Sequence, residues 1–269
     1  MRQYAIILLA LTMLTGVAQA GVVVEEQQVT NRGVGEPITH KITVMVQGNK
    51  QKSIIDDGKQ SLVTNLDQGT RMMIYDARKS YIEMPFPPKG MPNTPNQAGL
   101  TFRKTGTHQK ISGYDCDDYT GTGTVSGSEL TINGCFSTTA PGAGNFTAFQ
   151  KTMSDKVKGT PMALMSSAPE GIPLKIDTTM KMAGMAQMAN RPPMVTHMTV
   201  SKVTEKELAA DTFDAPKGYT KQQMPMMGSM GHAPMGAGPG GMAKPLKPIT
   251  PPNASGPASP AAAPNKVPE

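Results

Sequence analysis

The stretch "HQKISGYDCDDYTG" runs from His108 to Gly121 and crowds two tyrosines, one cysteine and three aspartates into Tyr114–Tyr119. A thiol among carboxylates is compatible with a metal site, a nucleophile or a structural cross-link. On an extended chain alternate residues point to opposite faces, so Cys116 and Asp118 share one face and Asp117 lies on the other. Because neighbouring carboxylates then diverge, the pattern favours a strand with one solvated face over a metal site.

The N-terminus, "MRQYAIILLALTMLTGVAQAG", has the pattern of a cleavable signal peptide. Arg2 is followed by a short apolar run, and Ala18 and Ala20 are small residues where a signal peptidase acts. The run is too short to span a bilayer. We therefore predict an exported protein, periplasmic or secreted, cleaved between Ala20 and Gly21, with no transmembrane segment in the mature chain.

The predicted export determines how the two cysteines are interpreted. Cys116 and Cys135 are the only cysteines of the chain, and an oxidising compartment favours a disulfide between them. Cys135 follows "SELTINGC", the return strand that the pattern predicts. Such a bond stabilises a fold by about 3 kcal/mol in the chain-entropy model. A reactive thiol or a metal ligand is the alternative.

The C-terminal part of the sequence differs in composition from the rest. Residues 221–269 hold 11 of the 24 prolines and no aromatic residue. A segment of this kind buries too little apolar surface to offset the entropy of ordering it. We predict a signal peptide over 1–20, one β-rich domain over 21–220 and a disordered Met/Gly/Pro-rich tail over 221–269.

The domain begins with an antiparallel β-meander. Short apolar runs alternate with Asp-Gly and Gln-Gly turn sequences, which predicts strands over Lys52–Ile55, Ser61–Asn65, Arg71–Tyr75 and Tyr81–Met84. The preceding "VVVEEQQVT" and "ITHKITVMVQG" predict two earlier strands.

The later segments predict one helix and two long strands. In "NFTAFQKTMSDKVKG" apolar side chains recur at helical spacing, with Asn145 as the N-cap and Gly159 at the end. "GIPLKIDTTMKM" and "PPMVTHMTVSKVTEKEL" predict strands. The fold class is therefore α+β and mainly antiparallel β, a curved sheet with one or two helices on its concave side.

Four motifs in order give the chain a family resemblance. They are the meander ending in "YIEMP", the "GYDCDDY" strand, "EGIPLKI" and "DTFDAPKGYTK". Together they resemble an uncharacterised exported branch of the LolA-like superfamily of lipoprotein carriers and lipid-binding proteins, over residues 22–221. The resemblance implies a half-open β-barrel whose concave face, covered by helices, shelters an acyl chain in a non-enzymatic protein. The chain departs from that pattern in lacking tryptophan, in its many methionines and in its tail.

The 22 methionines suggest where an apolar ligand would lie. Thioether side chains are flexible and polarizable and suit an adaptable groove, and the alternative is ordinary core packing or a compositional habit of the organism. The candidate groove residues are Met180, Met182, Met185, Phe146, Phe149 and Met153.

The sequence supports three functions, of which an apolar-ligand binding protein leads. Its ligand would be a lipid or a lipidated partner, and no cofactor is expected. A copper-handling protein is the second, because thioethers and an imidazole in the tail are soft ligands for Cu(I). The candidate metal ligands are Met224, Met227, Met230, His232 and Met235. A structural envelope protein is the third.

Other classes of function lack support in the sequence. The chain contains none of the common protease, hydrolase or redox motifs. A Gly-x-Gly-x-x-Gly match at Gly236, Gly238 and Gly241 lies in the Pro/Gly-rich tail, without the preceding strand and following helix that a dinucleotide site needs. The net charge of +6 is dispersed, which does not indicate nucleic-acid binding and allows peripheral contact with the envelope. No catalytic residue is assigned.

Overall fold

The computed structural model describes residues 20–33, 35–88, 100–125, 128–158, 168–181 and 192–223. Within these residues the chain forms one twelve-stranded sheet and one α-helix. The strands are β1 Gly21–Asn31, β2 Ile38–Gln47, β3 Lys50–Ile55, β4 Gln60–Asn65, β5 Thr70–Tyr75, β6 Ser80–Pro85, β7 Thr101–Ile111, β8 Tyr114–Val125, β9 Ser128–Ser137, β10 Ile172–Lys181, β11 Met194–Lys206 and β12 Thr220–Gln222, and the helix is α1 Ala143–Val157.

The sheet is curved and does not close. Its strand order is β12-β6-β5-β4-β3-β2-β1-β11-β10-β9-β8-β7. Neighbouring strands are antiparallel, except that β12 lies parallel to β6. Within β1–β6 and within β7–β9 successive strands pair through short connections, and β1 pairs with both β2 and β11. The predicted fold class, a mainly antiparallel curved sheet with a helix on one face, is confirmed.

The meander strands match their predicted positions to within two residues. Turn chemistry contributes to this accuracy, because glycines in two of the connections tolerate a left-handed backbone. Between β3 and β4, Gly58 has φ +99°, and between β4 and β5, Gly69 has φ +61°. These turns depend on local sequence, so they can be predicted without the tertiary structure.

The helix begins at Ala143, before its predicted N-cap, and Asn145 does not cap it. Gly142 occupies the N-cap position with φ +73°, and a Cβ atom there would lie 2.6 Å from a side-chain atom of Val22. Glycine is required on both counts. Asn145 instead donates from Nδ2 to the Ala20 carbonyl over 2.8 Å. The predicted end at Gly159 lies outside the described residues.

The main core lies between α1 and the sheet. Phe149 is 1% exposed and belongs to the same buried cluster as Val22, Val44 and Leu174. The helix contacts β1, β2 and β10. We call this side of the sheet the helix-side face.

The opposite face of the meander is covered by the chain that follows β11. Phe213 is buried there with Val63 and Ile74, and Lys52 donates from Nζ to the Thr212 carbonyl over 3.0 Å. The chain then adds β12 to the sheet edge. The sheet thus continues through Gln222, two residues past the predicted domain boundary.

Candidate functional site

A row of apolar side chains continues along the helix-side face beyond the helix. Ile176 of β10 pairs with Met198 of β11, and Met180 pairs with Met194. Opposite residues of an antiparallel pair point to the same face of the sheet. The pairing of β1 with β11 and with β2 places Ile42 of β2 on that face as well. All five side chains are partly exposed. We call these five residues the inner surface.

The same face extends onto the meander. Its register places Ile55, Leu62, Met73 and Ile82 on the side of Val44. These four meander side chains are partly exposed. The helix-side face therefore presents apolar side chains on both sides of the helix-covered core.

A carboxylate lies in the middle of this face. Glu26 of β1 pairs with Ile42 on one side and Val200 on the other. It is partly buried, and desolvation raises its pKa from 4.5 to about 7. Among the described residues, its carboxylate has no hydrogen bond or ion pair.

The predicted groove residues separate into three groups. Met180 lies on the inner surface, and Met153 of α1 packs partly exposed against the core. Phe146 and Phe149 are buried within the core, at 9% and 1% exposure, so they support the helix and do not line an open surface. The remaining two candidates, Met182 and Met185, lie outside the described residues.

Sequence reasoning missed Glu26, although a signal for it exists. Val22, Val24 and Glu26 alternate along β1, and the two valines are buried. Period-two alternation therefore places the carboxylate on the apolar face. The burial that shifts its pKa depends on β2 and β11, which no local pattern specifies.

The cysteine stretch forms a cross-link. Cys116 and Cys135 are joined by a disulfide with their Cα atoms 5.4 Å apart, and both are buried. The tip of the β7–β8 hairpin is anchored nearby, because the Tyr114 hydroxyl donates to the Val203 carbonyl over 3.1 Å and the Ser112 hydroxyl donates to the Val200 carbonyl. The disulfide and these two hydrogen bonds fix the hairpin against the central strands.

The described histidines each face one carboxylate. His40 Nδ1 lies 2.8 Å from Asp56 Oδ2, and His197 Nδ1 lies 2.6 Å from Asp177 Oδ1. His40 on β2 and His197 on β11 are separated only by β1, but the register places them on opposite faces of the sheet. Within the described part of the chain, no group of three or more His, Cys, Asp or Glu side chains converges as a metal site would require.

A polar cavity of about 260 Å³ lies on the side of the sheet opposite the inner surface. The bulge of β7 between Lys104 and His108 borders it. Gln109 donates to the Asp118 carboxylate over 2.7 and 2.8 Å. These two polar residues of the cavity lining are therefore hydrogen-bonded to each other. Its polar lining does not suit an apolar ligand.

Two further predictions cannot be located in the structure. The candidate metal ligands Met224, Met227, Met230, His232 and Met235 lie outside the described residues, as does most of the predicted signal peptide. In the part of the chain that is described, no helix combines the length and apolarity needed to cross a bilayer.

Solved structures with similar folds share little sequence with the chain. A protein from Thermus thermophilus titled an uncharacterized conserved protein is 8% identical, with 77% of this chain and 92% of that chain covered and a TM-score of 0.42. A LolA superfamily protein from Nitrosomonas europaea is 11% identical, with 72% and 90% covered and a TM-score of 0.31. PNGF-II is 12% identical with a TM-score of 0.38, and the alignment covers 76% of this chain but only 32% of PNGF-II.

The described residues form an open, mainly antiparallel sheet with one helix on its helix-side face, which is the architecture that the LolA-like resemblance implies. The chain belongs to the family described as a domain of unknown function, DUF4412, whose model matches residues 35–219. No curated protein matches the chain.

Proposed function

We propose that this protein is a non-enzymatic periplasmic binding protein that accommodates an apolar ligand, a lipid or a lipidated partner, on its inner surface. The observation that carries the proposal is the set of partly exposed apolar side chains on the helix-side face. Leaving these groups in water is unfavourable by about 25 cal/mol per Å² of apolar area, so a covering acyl chain stabilises the complex.

Methionine suits such a surface for a physical reason. Met180, Met194 and Met198 lie on two adjacent strands, and their unbranched side chains adopt many rotamers at similar energy. A surface of this composition adapts to chains of different length and unsaturation. It discriminates between acyl chains less sharply than a surface of β-branched residues would.

Native mass spectrometry of the mature protein, purified from its own periplasm, tests the proposal. We expect a retained lipid in the wild type and its loss in Met198→Lys, which places an ammonium group on the inner surface. Thr199→Lys is the matched control, because Thr199 is the exposed neighbour on the other face of β11. Equal lipid retention in both variants would contradict the assignment of the surface.

The same spectra separate the alternatives. A copper mass without lipid would favour the copper-handling function, and neither lipid nor copper would favour a structural role. We expect Cu(I) binding by the tail to be weak and non-stoichiometric, because a flexible segment loses chain entropy when several ligands converge. A one-to-one Cu(I) complex that is lost when His232 and the tail methionines are replaced would overturn this ranking.

A further inference from the structure

Glu26 lies on the helix-side face between apolar side chains of the two adjacent strands. Its neighbours across those strands are Ile42 and Val200, and the next pair along β1 and β11 on this face is Gln28 with Met198. Moving a carboxylate out of water is unfavourable unless it is paired or hydrogen-bonded. Within the described residues no cation supplies that pair.

Among the described residues, the titratable groups on the neighbouring elements do not pair with Glu26. His40, the titratable residue of β2 on the same face, is held by Asp56. Tyr114 at the hairpin tip donates to the Val203 carbonyl. The helix turns Met153 and Val157 toward the core, whereas Lys156 is exposed. A ligand is thus the natural source of the missing positive charge.

We propose that the inner surface binds a cationic amphiphile, with its ammonium group at the Glu26 carboxylate and its alkyl chain along Met198 and Ile176. This inference rests on the proposed function and specifies the ligand class for that surface. Side chains two residues apart on a strand are separated by about 7 Å, and adjacent strands by about 5 Å. A chain of several methylene groups therefore reaches from Glu26 across Met198 to Ile176.

The choice of a cation follows from comparing head groups. An anionic head would place two negative charges together in a region of low dielectric constant, which is unfavourable. A neutral alcohol would hydrogen-bond to the carboxylate without neutralising its charge. An ammonium group both donates hydrogen bonds to the carboxylate and neutralises its charge, and hydrogen bonds between charged partners are stronger than neutral ones.

Three probes with one alkyl chain test this inference by isothermal titration calorimetry. They are dodecylamine, dodecanol and dodecanoate, with the alcohol used below its solubility limit and the two ionic probes below their micelle-forming concentrations. We expect the wild-type protein at pH 8 to bind dodecylamine about tenfold more tightly than dodecanol, and dodecanoate most weakly. In Glu26→Gln the preference for the amine should disappear while dodecanol binding persists.

Glu25→Gln is the matched control, because Glu25 is exposed and lies on the other face of β1. It should bind the three probes as the wild type does. Because the pKa of Glu26 is about 7, dodecylamine should also bind the wild type more tightly at pH 8 than at pH 6. Glu26→Gln should lose that pH dependence, which a purely structural role would not remove.

The possible outcomes distinguish the two proposals. If dodecylamine and dodecanol bind the wild type equally, or Glu26→Gln keeps the preference for the amine, the cationic ligand class is wrong and apolar binding stands. If none of the probes binds the folded wild-type protein, the proposed function is itself wrong, and this inference is wrong with it.

Discussion

Replacing Glu26 with glutamine should change how the stability of the protein depends on pH. In the folded protein this carboxyl group lies between Ile42 and Val200, and desolvation raises its pKa from 4.5 to about 7. The folded state therefore retains a proton over a pH range in which the unfolded chain has released it. Stability contributed by the neutral acid is present below pH 4.5 and is lost as the pH rises toward 7.

The size of this loss of stability follows from the difference between the folded-state and unfolded-state pKa values of Glu26. Each unit of pKa difference is equivalent to about 1.4 kcal/mol, so the difference between 4.5 and about 7 corresponds to at most about 3.5 kcal/mol. The side chain is partly exposed, and solvation of the carboxylate reduces the effect to between about 1 and 3 kcal/mol. Glutamine is neutral at every pH and has nearly the same shape, so the variant should lack this loss.

Urea denaturation at pH 5 and pH 8 measures the effect. Between these two pH values, we expect the free energy of unfolding of the wild type to fall by about 1 to 3 kcal/mol more than that of Glu26→Gln. Glu25→Gln should follow the wild type, because its side chain is exposed on the other face. Other titrating groups contribute equally to all three proteins and cancel in the comparison. Parallel pH dependences in the wild type and Glu26→Gln would refute the argument from desolvation.

The remaining predictions concern the cross-link, the core and the C-terminal boundary. Replacing Cys116 and Cys135 together with alanine should lower the free energy of unfolding by about 3 kcal/mol, and the unfolded wild type should show free thiols only after reduction. Phe149→Ala should lower it by about 3–5 kcal/mol in urea denaturation, because the ring is fully buried. Truncation after Gln223 should leave the melting temperature nearly unchanged, whereas truncation after Gly218 removes β12 and should lower it.

The meander shows what local sequence can specify. Strands β3 to β6 were predictable because alternating apolar residues fix their faces and short turns fix their register. Cys116 and Cys135 were likewise predictable as a pair, since the chain holds no other cysteine.

The helix and the site show where local sequence falls short. The start of α1 depends on Gly142, whose missing side chain makes room for Val22 of a distant strand. Phe146 and Phe149 have the spacing of a helix face, but only the packed structure shows that this face is core. Met182 and Met185, predicted as groove residues, stay predictions.

The sequence by itself determined the antiparallel strands, the helix and the pairing of the two cysteines, because periodicity, turn residues and composition act over short segments. The tertiary structure decided that β1 lies between β2 and β11. That arrangement brings Ile42 and Val200 against Glu26 and turns an ordinary surface residue type into a desolvated carboxylate with a raised pKa. Burial depends on which distant strands become neighbours, and no local pattern contains that information.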